Sequence, residues 1–405
     1  MNGADTAWIL TSTALVLFMT LPGLSLFYAG LVRARNVLSV LMHCFAIACL
    51  VSIIWLVVAY SLAFASGGAA NPVIGGLTRM FLASVGPDTL SGTIPESVFF
   101  MFQMTFAIIT TALIVGAYPE RIRFPFVLVF SGVWVIVVYA PIAHWVWGGG
   151  WLGTLGVMDF AGGIVVHISA GVSAIVIASQ LGPRRGFPDE LRLPHSPGLT
   201  MAGAAMLWVG WFGFNAGSAL AADGNAGMAM TATHIAAAAG SLAWAGMEWI
   251  RFGKATLVGI VTGMVAGLAT ITPASGFVGP FGALVVGLAG GLACQWATGL
   301  IKQRLKIDDS LDVFAVHGVG GALGTILVGV FVLEGLGGVG LGEGITFGRQ
   351  FGVQILGVIA GVVWAAVVTY VIVKVVGLFA PMRVGEEDEI EGLDIVMHGE
   401  RGYDL

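Results

Sequence analysis

The stretch Asp159–Gly171, DFAGGIVVHISAG, sets a histidine inside a segment too apolar for water. Gly163 and Gly171 lie four residues to either side of His167. On a helix, the face carrying the imidazole is therefore stripped of side chains, and a second helix can approach it closely. Of 405 residues, 58% are hydrophobic and only 10% charged, with a mean hydropathy of +0.96, a balance that excludes a water-soluble domain. Apolar runs, each near the roughly 20 residues that cross a hydrocarbon core, recur eleven times, at about 6–32, 37–65, 96–118, 125–147, 160–181, 198–221, 227–250, 255–274, 278–301, 312–333 and 349–380.

Basic residues orient these runs, because Lys and Arg concentrate in cytoplasmic loops. Arg33 and Arg35, Arg121 and Arg123, Arg184, Arg185 and Arg192, Arg251 and Lys254, and Lys302, Arg304 and Lys306 occupy alternate joints. Lys374, Arg383 and Arg401 flank or follow the last run, and only Arg79 and Arg349 fall on the opposite side. This pattern expects an outside N-terminus, a cytoplasmic C-terminus and an odd number of spans. The opening MNGADTAW has no basic n-region, so the first run is read as a retained helix, as fits a prokaryotic inner (plasma) membrane. Cys44, Cys49 and Cys294 lie inside runs and are expected as packing residues, with neither a disulfide framework nor a metal cluster. The net charge of −5 reflects an acidic tail, GEEDEIEGLD at Gly385–Asp394, and nothing suggests nucleic-acid binding.

A second histidine repeats the first. In DSLDVFAVHGVGG, Asp309 precedes His317 by eight residues, as Asp159 precedes His167. In the topology above the two copies run in opposite directions, and eight residues of helix rise about 12 Å, enough to bring both imidazoles near the midplane. LFYAG (Leu26–Gly30) and GFNAG (Gly213–Gly217) again pair a Phe with a Gly three residues later. Runs one to five and six to ten thus read as an inverted repeat, an architecture that places sites at the midplane. The expected division is a membrane domain, 1–380, made of half-repeats 1–182 and 198–333 and a long tilted helix 349–380, followed by a cytoplasmic tail, 381–405.

Intramembrane histidines are functional candidates, although each alone also suits a hydrogen bond across a helix interface. Two facing imidazoles can share a proton, one ring donating and the other accepting, which suits a small amine or a proton relay. Asp159 and Asp309 suit helix N-caps at least as well as ligands. In APIAHWVWGGGW (Ala140–Trp151), Trp145 and Trp151 read as an interfacial belt, and His144 as an outer-interface residue. Composition leaves Trp147, Phe106 and Phe214 undecided between packing and a site. A Trp face attracts ammonium-like ions, and a hydroxyl such as Ser218 accepts their hydrogens. His-Glu-x-x-His helices, Gly-x-Ser-x-Gly elbows and phosphate loops are absent from the sequence, so no enzyme is expected, and no cofactor or metal. None of the four lysines lies mid-span, which argues against a retinal Schiff base.

The segments FQMTFA, AHWVWGGG, DFAGGIVVHISAG, GWFGFNAGSA, TPASGF, DVFAVHGVGG and EEDEIEGLD resemble, in order and over essentially the whole chain, the Amt branch of the Amt/Mep/Rh ammonium transporters. The resemblance implies an outer ammonium recruitment site of Trp147, Ser218 and Phe106, with Asp159 supporting it through backbone hydrogen bonds. It implies a phenyl gate of Phe106 and Phe214 with Gln103 beside it. Below would lie a pore lined by His167, His317, Trp211, Phe27 and Tyr28. It also implies a homotrimer with one pore per subunit, a cytoplasmic tail that contacts the neighbouring subunit, and a PII-type regulatory protein as partner at the cytoplasmic face. Competing expectations are an electroneutral Rh-like channel for ammonia or carbon dioxide, in which the Trp147 and Ser218 pair would be missing, and an ammonium sensor. A metal or redox enzyme using the histidines is the distant third.

Overall fold

Helices cover each of the eleven apolar runs in the computed structural model, which describes every residue except 191, 192 and 405. Arg192, one of the residues used to orient the chain, therefore lies outside the described residues. The helices are α1 Gly3–Leu31, α2 Ala34–Phe64, α3 Glu96–Ala117, α4 Phe124–Leu155 and α5 Gly163–Leu181. They continue with α6 Pro197–Gly217, α7 Gly224–Phe252, α8 Leu257–Ile271, α9 Pro280–Arg304, α10 Phe314–Phe331 and α11 Phe347–Gly377. Two short tail helices follow, α12 Glu386–Glu391 and α13 Leu393–His398. Eight helices, α1–α5 and α9–α11, are long and apolar enough to cross a membrane. The protein is an all-helical, multi-pass membrane protein. The sheet among the described residues is a two-stranded hairpin, β1 Leu90–Ser91 against β2 Ile94–Pro95.

Side-chain caps start several helices where the first backbone N–H groups lack partners. Asn2 caps α1, Ser196 caps α6 just before Pro197, Asp223 caps α7 and Thr346 caps α11. Within α1 the backbone widens to a π-turn over Met19–Leu24, around Pro22, whose ring removes a helical N–H.

Glycine sets how closely the helices cross. A side chain at Gly171 would strike the backbone of Gly318, and one at Gly321 would strike the Gly163 carbonyl and the His167 Cβ. The stripped face read from the sequence is thus the contact face between α5 and α10. Each of these helices opens with a π-turn that contains its histidine, Gly163–Ile168 and Phe314–Gly318. Helices α1 and α6 approach in the same manner, Gly203 lying against the Phe27 backbone and the Gly23 carbonyl.

At the end of the molecule that holds the tail, Arg121 is fully buried and donates to the carbonyls of Ala117, Pro119, Gly182 and Asp308 and to Ser310 Oγ. Burial lowers its guanidinium to about 10, opposed by the Asp308 carboxylate. Burial alone would raise the Asp308 carboxyl, but Arg184, bound at 2.9 Å through both Nε and Nη2, together with Arg121 holds it below the usual carboxylate range. These loop arginines are therefore structural keystones of this end of the molecule. Cys44 and Cys294 pack inside as expected, whereas Cys49 is exposed on the outer surface of α2.

Replacing Gly171 with alanine is expected to lower thermal stability in detergent by the equivalent of about 1–3 kcal/mol, the usual range for overpacking. Gly246→Ala, where an added Cβ meets nothing within 4 Å, is expected to leave the melting temperature unchanged or slightly raised. Equal melting temperatures for the two variants would contradict the close α5–α10 crossing.

Candidate functional site

Three cavities lie in series through the helix assembly, and the expected site residues mark their boundaries. The first is lined by Phe64, Phe99, Gln103, Phe106, Trp147 and Ser218. It opens past Phe64, Phe99 and Trp147 to a wider mouth that reaches Arg79 and Glu96. In that mouth Arg79 Nε donates to Glu96 at 2.9 Å and the Tyr60 hydroxyl donates to the same carboxylate at 3.1 Å.

Trp147 is fixed from behind, its indole N–H donating to the Asp159 carbonyl at 2.9 Å. The Asp159 side chain accepts from the backbone N–H groups of Gly162, Gly163, Ile164 and Val165, so this one buried residue both caps α5 and anchors the tryptophan. Gly162 makes the turn possible with φ +119°, a left-handed conformation that favours glycine. The Ser218 hydroxyl donates to the Phe214 carbonyl at 2.9 Å. With its proton committed, its oxygen is left to accept.

Phe106 and Phe214 close the inner end of this cavity, their rings stacked 4.2 Å apart at 22°. The Trp147 ring meets Phe106 edge-on at 5.9 Å. Beyond the stack lies a narrow, almost wholly apolar cavity lined by Phe27, Tyr28, Trp211, Phe214, His167 and His317, with aliphatic side chains such as Ile109, Leu113 and Val265. Trp211 lies nearly parallel to His167 at 5.7 Å and donates its N–H to Thr272 Oγ1 at 2.9 Å, while the Tyr28 hydroxyl donates to the Leu113 carbonyl at 3.0 Å.

His167 and His317 meet there, Nδ1 to Nδ1 at 3.1 Å with their rings 27° apart. One Nδ1 must carry a proton and the other must be bare. Nε2 of His167 is buried with no partner among the described residues. Past His317, Phe27 and Tyr28 the third cavity opens, lined also by Lys302, Ser310 and Asp312. Lys302 Nζ donates to Asp312 at 2.8 Å and to the Ser310 carbonyl at 3.1 Å.

The two aspartates of the repeated signature differ. Asp159 satisfies both carboxylate oxygens, whereas Asp309, equally buried, accepts from the Phe314 N–H at 2.7 Å through one oxygen and leaves the other without a protein partner. Burial, reinforced by the neighbouring Asp312 carboxylate, raises the Asp309 carboxyl to about 7.

Apart from Asp159, which lies behind Trp147, the expected residues line these cavities in order: Trp147, Ser218 and Phe106 at the first cavity, Phe106 against Phe214, then Trp211, Phe27, Tyr28 and the histidine pair. Two neighbours are placed differently from expectation. His144 is fully buried, its ring nitrogens 2.8 Å and 2.6 Å from the carbonyls of Ala63 and Asn71, so it pins the loop after α2. Trp145 is also buried, donating to the Val73 carbonyl at 2.6 Å, because this loop folds back over the end of α4. Sequence reasoning missed Thr272, which orients Trp211 and whose only signal was its place in TPASGF, and the aliphatic lining, which apolar runs cannot distinguish from packing.

A family described as the Ammonium Transporter Family matches residues 7–403. The ammonium transporter of Bacillus subtilis (strain 168) is 48% identical over 407 residues, covering 100% of this chain and 99% of the relative. Ammonium transporter Amt1 of Archaeoglobus fulgidus is 42% identical over 406 residues, covering 100% of both. Among solved structures, a sensor Amt protein superposes with a TM-score of 0.90 at 30% identity, covering 98% of each chain. Saccharomyces cerevisiae Mep2 superposes with a TM-score of 0.84 at 35% identity, covering 95% of this chain and 91% of that one.

Because the Asp309 carboxyl is raised from 3.8 to about 7, its ionised form is disfavoured in the folded state. The resulting cost should grow as pH rises through that interval and level off above it. Asp309→Asn, which keeps the acceptor for Phe314, is expected to melt at the wild-type temperature near the acid end of the interval and above it at pH 8. A melting difference independent of pH would refute the assignment.

Proposed function

This chain belongs to the ammonium transporter family, and we propose that it carries ammonium across a membrane by recruiting the cation at the outer cavity, removing its proton and passing ammonia through the histidine-lined pore. The observation that carries this reading is the serial order of the cavities, an acceptor-bearing aromatic site leading through stacked phenyl rings to a dry channel whose polar atoms are the facing imidazoles.

Each part has a chemical task. The Trp147 face attracts the cation, by about 0.5–2 kcal/mol, and the Ser218 oxygen accepts one of its hydrogens. Gln103, whose side-chain carbonyl is buried without a protein partner, supplies a further acceptor in the same cavity. The Phe106–Phe214 stack separates this wet site from the pore. A bare ion in hydrocarbon costs tens of kcal/mol by Born estimates, while neutral ammonia crosses at little cost, so the proton leaves at this boundary. The hydrogen-bonded imidazole pair then offers a donor and an acceptor to ammonia and a separate relay for the proton, giving net movement of ammonia plus a proton. Asp159 serves the recruitment site by fixing Trp147.

The same reading assigns eleven spans, α1–α5 and α6–α10 as inverted halves (1–182 and 198–333) and α11 (349–380) outside them. It assigns an outward N-terminus, a cytoplasmic tail (381–405), a homotrimer in the cell inner membrane, and a PII-type protein as regulator. The shared crossing chemistry of α5 and α10 supports the halves, each helix bringing a π-turn histidine against glycine. The Trp147 ring face together with the Ser218 acceptor favours cation recruitment over an electroneutral Rh-like channel. A sensor role is the second reading, motivated by the structural likeness to a sensor Amt protein.

Uptake of radiolabelled methylammonium into proteoliposomes tests the proposal. The wild type is expected to show saturable uptake above empty liposomes. Trp147→Leu and Ser218→Ala are expected to raise KM, up to about 30-fold for a 2 kcal/mol loss, with little change in maximal rate. No uptake by folded protein that still binds the amine would favour the sensor.

A further inference from the structure

The tail is docked on the membrane domain through a buried contact that holds more polar atoms than it satisfies. Helix α13 lies across the start of α2: the Asp394 carboxylate accepts from the Leu38 and Ser39 N–H groups at 3.1 Å and 2.7 Å, and the Leu393 N–H donates to Asn36 at 2.8 Å. At the other end of α13, His398 meets the Phe124 ring edge-on at 5.1 Å. The face of the same ring is stacked on His43 of α2 at 5.7 Å and 6°, and Tyr118 closes the group edge-on to His43 at 6.0 Å. Both His43 nitrogens, the Tyr118 hydroxyl and Nε2 of His398 are buried with no partner among the described residues.

We propose that this His43–Phe124–His398 contact is an acid-released latch, holding the tail docked while both imidazoles are neutral and freeing it when His398 takes up a proton. The inference concerns the tail alone and does not depend on what the pore carries. A second proton on His398 puts charge beside the Phe124 ring, on an imidazole whose buried Nε2 has no partner among the described residues. The carboxylates that face it are Asp394 and Glu400. Asp394 is already committed to two N–H groups of α2, and Glu400 is exposed. From the membrane domain the facing ionisable groups are His43, beside the buried Cys44 thiol, and the Tyr118 phenol; Arg35 packs against Gly392, six residues before His398, and Arg123 is held by the Arg383 carbonyl.

The sign follows from burial, which lowers the His398 pKa below 6.5 against the pull of Asp394 and Glu400. Docking is therefore fully supported above the free histidine value and is lost as pH falls from there through the docked value. For a single proton the docking equilibrium weakens by up to about tenfold per pH unit in that window.

Hydrogen exchange of residues 386–398 in the full-length protein in nanodiscs, corrected for the intrinsic pH dependence of exchange, reads the latch. The wild type is expected to lose protection severalfold to tenfold between pH 7.5 and 5.5. His398→Gln is expected to be insensitive to pH, and His195→Gln, whose ring bonds Val32 and Tyr403 instead, to keep the wild-type response. A wild-type tail equally protected at both pH values, or a response retained in His398→Gln, would overturn the latch. Should His398→Gln be undocked already at pH 7.5, the pKa of His398 in the wild type, from exchange of its imidazole C2 hydrogen, decides: a value below 6.5 supports the latch and a value at or above it overturns it.

Discussion

The 3.1 Å contact between His167 and His317 can exist only where two backbones come together in a medium that tolerates almost no unsatisfied polarity. In hydrocarbon every N–H and C=O must find a partner within the protein, and a side chain on either crossing face would hold the helices apart. Gly163 and Gly171 on α5 and Gly321 on α10 meet the second demand. The first is met by Asp159, which collects four backbone N–H groups at the start of α5 and offers its own carbonyl to Trp147. The glycine crossing, the aspartate cap and the tryptophan are thus one mechanical unit, and the cavities on either side inherit their positions from it.

The arrangement sets polar groups at the two ends of an apolar passage. Polar side chains collect at Ser218 and Gln103, beside Trp147, on one side of the stacked phenyl rings and at Ser310, Asp312 and Lys302 beyond His317. Between them the lining is aliphatic and aromatic apart from the imidazoles. The half-capped Asp309 breaks the symmetry of the repeated signature: one carboxylate is fully committed to structure, while the other keeps an oxygen without a partner among the described residues and a raised pKa, next to Ser310 of the third cavity.

The histidine pair was legible because its signal is positional. An Asp and a His eight residues apart, with glycine around the His, occurs twice, and chance composition does not duplicate such spacing. The helix spans were legible from hydropathy for a similar reason, each run being long against the few residues of error at its ends. The choice among 24 phenylalanines was not legible from composition, because a pore-lining ring and a packing ring obey the same apolar rule; family resemblance singled out Phe106 and Phe214. Arg121 read as a loop charge and is fully buried, since carbonyls distant in sequence converge on it. The tail contact at His43 and His398 left no trace in periodicity, being made between residues some 350 positions apart.

The central claim is that ammonia and its proton part company at the phenyl rings and that the imidazole pair carries the proton onward. The current recorded from proteoliposomes after an ammonium pulse, for the wild type and for His167→Ala with His317→Ala, tests it most directly. The account predicts a wild-type current that is lost in the double variant while the folded protein still binds ammonium; a current that persists without both histidines would contradict it.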